Sequence, residues 1–350
     1  MNDLAIRIDG LAGRVTLKRP AQLNALTHDM CLAIENAIDE WRATDAVELI
    51  LLDAIGERAF CAGGDIIEIY EAGTKGHFEC AREFWCDEYR LNAKLATYPK
   101  PIVSFLHGYT MGGGVGLGCH VSCRIVGETS KIAMPECGIG LVPDVGGSLL
   151  LARAPGRLGE FLGTTGTRMN AADAIYAGFA DKFIPEANWD DLKSTLASSG
   201  EVASIADYAQ PTSNSRFESQ LSNIDSHFGG ETLVDIKNSL AVDDTEFAAK
   251  ALKDLSRGSP LAVACTVEII HRLKNSSKQD IQTALELEYR FTSRAMEHGD
   301  FLEGIRAQVI AKDRNPSWQY AAGSVPATAM SKMLLPLGEN SLTAKIWSTK

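Results

Sequence analysis

Apolar positions in the first third of the chain alternate between strand-like runs and helix-like spacing. Leu4–Ile8 and Arg14–Leu17 read as two short strands around an Asp9–Gly13 turn. Thr27 suits the N-cap of a helix whose buried face carries Met30, Ile34, Ala37, Ile38 and Trp41. Asp29 sits in its first turn, where negative charge is favourable. The continuous apolar run Leu49–Leu52 suits a strand buried on both faces.

The same grammar recurs. Tyr98–Pro99–Lys100–Pro101 punctuates the chain, and Ile102–Leu106 reads as a second buried strand ending at His107–Gly108. The glycine-dense segment Gly112–Gly118 opens a helix, and Arg124–Val126 and Lys131–Ala133 are further short strands. Gly146–Arg153 and Ala171–Tyr176 read as short helices, with Gly178 as a stop. No fixed period links these units, so a solenoid is excluded and the class is α/β. Residues 198–230, rich in Ser, Asn, Gln and Asp, read as exposed helices and loops. From Pro260 the spacing along Leu261–Leu273 and Ile281–Met296 is helical. The expected organisation is an α/β core over 1–190, a helical C-terminal region over 191–320 and a surface tail over 321–350.

Composition narrows the function classes. The 350 residues are 45% hydrophobic and 23% charged, ample for a packed core. Acidic residues outnumber basic ones 45 to 34, for a formal charge of −11, and no Lys/Arg run forms a nucleic-acid stripe. No apolar stretch approaches the roughly 18 residues of a membrane span, and residues 1–10 lack a secretory signal's apolar run. An intracellular location is expected: cytoplasm for a bacterial chain, mitochondrial matrix for a mature eukaryotic one. The eight cysteines form no C-x-x-C pair and read as reduced, packed thiols, with no metal site.

Three segments can carry chemistry. Phe60–Cys61–Ala62–Gly63–Gly64–Asp65 follows the Leu49–Leu52 strand, and its paired glycines permit a sharp turn with free N–H groups. Alone it is also an ordinary tight turn. Met111–Gly112–Gly113–Gly114–Val115–Gly116 likewise follows a buried strand and enters a helix, without the signature of a nucleotide-binding loop. Two such turns, each giving one N–H, are what an oxyanion hole needs, at roughly 3 kcal/mol per donor. The third segment, 133–147, sets Glu136 and Asp144 among apolar and glycine residues, where burial raises a carboxyl group toward acid–base range. Asp144 also reads as a plain helix N-cap. His107 and His120 have the look of structural hydrogen-bonding residues. Lys18, Arg19 and Lys100 are candidates for phosphate contacts that also read as solvated charges. No nucleophile elbow G-x-S-x-G occurs.

Together, Phe60–Asp65, His107–Gly108, Met111–Gly114, Met134–Pro135–Glu136 and Pro143–Asp144–Val145–Gly146–Gly147 resemble the crotonase (enoyl-CoA hydratase/isomerase) superfamily in order and spacing. Leu17–Lys18–Arg19–Pro20 and Leu23–Asn24–Ala25–Leu26 are similar to its first motif. The likeness extends to Glu88–Tyr89–Arg90–Leu91–Asn92, Glu288–Tyr289–Arg290 and Asp300–Ala307, and points to the hydroxyacyl-CoA hydrolase branch.

The resemblance implies a crotonase-like spiral of ββα units with a helical C-terminal part. It implies oxyanion donors at the Gly64 and Gly113 amides, an acid–base Glu136, and Asp144 as the aspartate typical of the hydrolase branch. Substrate contacts are implied at Ala62, Glu88 and Gly113, and at Glu136 and Asp144 themselves. Hydratases of the superfamily carry a second glutamate where this chain has Gly116, and a glycine where it has Asp144. The implied activity is therefore hydrolysis of a short 3-hydroxyacyl-CoA to the free acid and coenzyme A. The implied acyl group is 3-hydroxyisobutyryl, from valine breakdown. Enoyl-CoA hydration or isomerisation, and a non-catalytic CoA- or RNA-binding role, are the alternatives. The expected partner is the acyl-CoA itself, with no separate cofactor, no nucleic acid and no membrane. Assembly is expected to be either monomeric or homo-oligomeric.

Overall fold

The computed structural model describes residues 2–321 and 323–347. Residues 322 and 348–350 of the expected tail lie outside the described residues. The chain divides into two compact units, each drawn from three stretches: Met1–Gly64, Arg90–Ala133 and Arg168–Arg216 in the first, and Asp65–Tyr89, Met134–Thr167 and Phe217–Lys350 in the second.

The nine strands among the described residues all belong to the first unit: β1 (Leu4–Asp9), β2 (Ala12–Leu17), β3 (Leu49–Ala54), β4 (Ala59–Cys61), β5 (Ile102–Phe105), β6 (Tyr109–Met111), β7 (Cys123–Val126), β8 (Lys131–Ala133) and β9 (Lys182–Phe183). They form a six-stranded sheet ordered β1-β2-β3-β5-β7-β9 and a three-stranded sheet ordered β4-β6-β8. Only the β1–β2 pair is antiparallel. After the opening hairpin, each successive pair gives its first strand to the large sheet and its second to the small one. This is the ββα repetition of the crotonase-type α/β fold.

The expected hydrophobic pattern holds. The Met30, Ile34, Ala37, Ile38 and Trp41 stripe is buried on the helix His28–Arg42, and the Thr27 side chain caps it by accepting from Met30 N–H. Leu49, Leu51, Val103, Phe105 and Ile125 join Trp189, Leu192 and Leu196 in one core cluster. Two expectations need correction. Within 198–230 the helix Arg216–Phe228 buries Phe217, Ile224 and Phe228, because those three fall on one helical face among the polar residues. The tail also packs: Met333 and Leu334 on the helix Ala327–Leu334 are buried, as is Leu342. Among the described residues no helix is long and apolar enough to cross a membrane.

Candidate active site

In the first unit the two glycine turns leave the parallel neighbours β4 and β6. The loop between β2 and the first helix supports the earlier turn. Leu23 and Asn24 adopt left-handed backbone, and the buried Asn24 side chain donates to Ile55 and Ala59 carbonyls while accepting from Arg19 N–H. Ala62 N–H donates to Leu23 O at 3.0 Å, and Leu26 N–H to Gly63 O at 2.9 Å. Gly63, at φ +120°, makes the bend. Gly112, at φ +49°, starts the second turn, and an ideal Cβ on Gly114 would stand 2.1 Å from Cys61 O. Glycine at 114 is thus what lets the two turns touch. Neither the Gly64 nor the Gly113 N–H donates to another described residue. Ala62, Gly64 and Gly113 are therefore brought together, with two amides left for an incoming acceptor.

Lys100 donates to Trp41 and Thr44 carbonyls and Arg19 to Ala25 O, so both serve the fold. His107 is buried edge-on to Trp189, and burial holds its pKa below the ordinary value. Burial pushes the Cys119 thiol up to about 12 and Cys123 to about 11.

In the second unit four carboxyl groups meet: Glu88, Glu136, Asp144 and Glu288, none more than 5% exposed. Glu88 lies on the helix Glu79–Ala96, Glu136 opens the short helix Glu136–Ile139, and Glu288 lies on the helix Ile281–His298. Asp144 precedes the helix Gly147–Arg153 but does not cap it; the cap position is Gly146, without a side-chain bond. The Asp144 carboxylate instead accepts from Tyr89 Oη at 2.7 Å. Burial raises Asp144 to about 6 despite that bond. Glu136 rises well above the carboxylate range, through burial first and then the charges of Asp144, Glu288 and Glu88. Glu88 rises similarly, through burial and Asp144. Glu136 Oε2 is buried with no hydrogen-bond partner among the described residues. A buried carboxyl oxygen without a partner is costly in a resting fold and is what a reacting group requires.

Sequence reasoning did not single out Tyr89, Ser148, Glu288 or Thr292 as site residues. The signal was present for Tyr89, beside the Glu88 already singled out. Phe84, Trp85, Glu88, Tyr89, Leu91 and Asn92 follow helical spacing, so Glu88 and Tyr89 fall on a face otherwise made of core residues.

The enoyl-CoA hydratase/isomerase family model matches residues 12–334, and the chain belongs to that family. Over 321 residues it is 37% identical to a protein of Danio rerio named "3-hydroxyisobutyryl-CoA hydrolase, mitochondrial", covering 89% of this chain and 83% of the relative. The Homo sapiens protein of that name is 38% identical over 323 residues, with the same coverage of both chains. The fold is also that of a solved enoyl-CoA hydratase from Rhodobacter sphaeroides 2.4.1, 52% identical, with a TM-score of 0.92 over 97% of this chain and 99% of that one. A carnitinyl-CoA dehydratase from Mycobacterium thermoresistibile superposes with a TM-score of 0.93 at 38% identity, over 99% of each chain.

Proposed function

We propose that this protein hydrolyses a short 3-hydroxyacyl-CoA thioester, 3-hydroxyisobutyryl-CoA in the first instance, releasing the free acid and coenzyme A. The observation that carries the reading is the buried Glu136–Asp144 acid pair with Tyr89 on Asp144, together with Gly116 in the helix Gly113–Gly118, a position that offers no side chain. Water addition to a double bond by two glutamates lacks its second glutamate here. Hydrolysis of a thioester needs one acid–base carboxyl group and a place for the oxyanion.

In this mechanism the Gly64 and Gly113 amides stabilise the charge that develops on the carbonyl oxygen, by roughly 3 kcal/mol each. Glu136 drives the attack at the carbonyl carbon. As nucleophile its carboxylate forms a mixed anhydride, the C–S bond breaks, the thiolate takes a proton, and water opens the anhydride. As general base it draws a proton from water, which attacks directly, and the proton passes to the thiolate. Asp144 orients the 3-hydroxyl of the acyl group and shares the proton with Glu136, the two titrating as a pair. The Danio rerio and Homo sapiens relatives' names support the hydrolase reading; the Rhodobacter sphaeroides structure's name favours hydration as the second.

Thiol release from 3-hydroxyisobutyryl-, 3-hydroxypropionyl- and crotonyl-CoA decides between them. We expect release from the two hydroxyacyl substrates, with Glu136→Gln slower by about 10²–10⁴. Hydration of crotonyl-CoA without thiol release from the hydroxyacyl substrates would sink the proposal. Single-turnover reaction in oxygen-18 water separates the routes: label in the Glu136 carboxylate reports the anhydride.

A further inference from the structure

The turn after Asp144 is unusual for its sequence. Val145 adopts φ +53° and Gly146 φ +79°. A β-branched residue in the left-handed region is a genuine outlier, held only where the surroundings over-determine it. Gly147 N–H closes the turn onto Asp144 O at 2.6 Å. Two successive left-handed residues aim their neighbouring N–H groups into one concavity, which suits an anion.

The acceptor there is Glu288, whose carboxyl group burial pushes up to about 8. Its Oε2 accepts from Gly146 N–H at 2.8 Å, and its Oε1 accepts from Ser148 N–H at 3.1 Å and from the Ser148 hydroxyl. One helical turn further along the same helix, the Thr292 hydroxyl lies 3.4 Å from Tyr89 Oη and can donate to it, because Tyr89 gives its single proton to Asp144. A single face of the helix Ile281–His298 therefore fixes Asp144 twice, through its backbone turn and through its hydrogen-bond donor.

We propose that Glu288 is a positioning residue: it holds the strained Val145–Gly146 turn that presents Asp144, and touches no reacting atom itself. The inference rests on the proposed role of Asp144 in hydrolysis. Glu288→Gln keeps an acceptor for Ser148 but sets an amide N–H₂ against Gly146 N–H, so the turn loses one anchor.

The test compares wild type, Glu288→Gln, Val145→Gly and the double variant in the full chain, using thiol release and unfolding midpoints. Glu288→Gln is expected to lower kcat on the order of tenfold to a hundredfold, as misplacement of a reacting group does, with KM within about threefold. Val145→Gly relieves the backbone strain, so in the Glu288→Gln background it should restore kcat and raise the unfolding midpoint more than in wild type. Equal kcat in Glu288→Gln and wild type, or additive effects of the two substitutions on both readouts, overturns the proposal. If Glu288→Gln does not fold, Ser148→Ala, which leaves two amide bonds to Glu288, takes its place. A smaller kcat loss at constant KM then supports the role, and an unchanged kcat overturns it. If wild type hydrates crotonyl-CoA and releases no thiol, the hydrolase reading has failed. The same variants are then read on hydration and by their midpoints, where additivity still overturns the turn-holding role.

Discussion

Tyr89 donates its phenolic proton to Asp144 Oδ2 at 2.7 Å, a side-chain hydrogen bond that favours the ionised form of an otherwise buried acid. Tyr89→Phe removes it without changing the ring's packing. Burial then acts on Asp144 with less opposition, its pKa climbs above about 6, and ionisation of the acid pair is delayed. The acid limb of kcat/KM against pH should move upward by about one unit. A limb unchanged in Tyr89→Phe would show that Asp144 does not govern the profile.

Asp144 also sets a stability prediction of definite sign. Its pKa is about 6 in the fold against an ordinary 3.8, so the folded state holds the proton longer than the unfolded one. Stability from this group is fully present below pH 3.8 and is lost as pH rises through 6, by about 3 kcal/mol. Asp144→Asn should therefore unfold at a higher temperature than wild type at pH 8 and at nearly the same temperature at pH 4, while losing activity. Calorimetry at the two pH values checks it; a less stable Asp144→Asn at pH 8 contradicts it.

Gly114→Ala tests the approach of the two glycine turns. The added methyl meets Cys61 O at 2.1 Å, a backbone atom that cannot swing aside. The turns must part, and kcat should fall by about 10²–10³, as when an oxyanion donor is lost. Normal turnover in a folded Gly114→Ala protein would remove the paired amides from the mechanism.

The fourth prediction concerns the buried Glu160, away from the acid cluster. Burial alone would raise it, yet the His271 hydrogen bond, with Lys274 and Arg157, holds it down at about 2. Its contribution to stability is present above pH 4.5 and is lost as pH falls toward 2. Glu160→Gln leaves Lys274 and Arg157 without their carboxylate and should cost about 3 kcal/mol at pH 7, narrowing the gap to wild type in acid. Urea titrations at pH 7 and pH 3 give the two differences.

Much of the fold was legible because burial on strands and helices imposes strict periods. Met30 through Trp41, Leu49–Leu52 and Leu261–Leu273 could sit no other way. The helix Arg216–Phe228 was obscured because only three of its thirteen residues are buried. For the site, glycine pairs and isolated carboxylates show in a sequence because they violate local expectation. Tyr89 and Thr292 do not, since each looks like core until a partner from a distant segment arrives. Glu288 was visible only as part of a motif; its bonds go to Gly146 and Ser148, some 140 residues earlier in the chain.

The alternate assignment of strands to two sheets has a practical consequence. In each pair after the opening hairpin, the first strand fills the apolar core of the six-stranded sheet, and the second, in the three-stranded sheet, leads into a segment to which we assign chemistry. The core cluster and the proposed chemistry thereby draw on different strands. Residues such as Leu51, Val103 and Ile125 can be redesigned for heat tolerance while β4 and β6 keep their sequence. Conversely, new chemistry can be grafted after β4, β6 or β8 at little cost to the chassis.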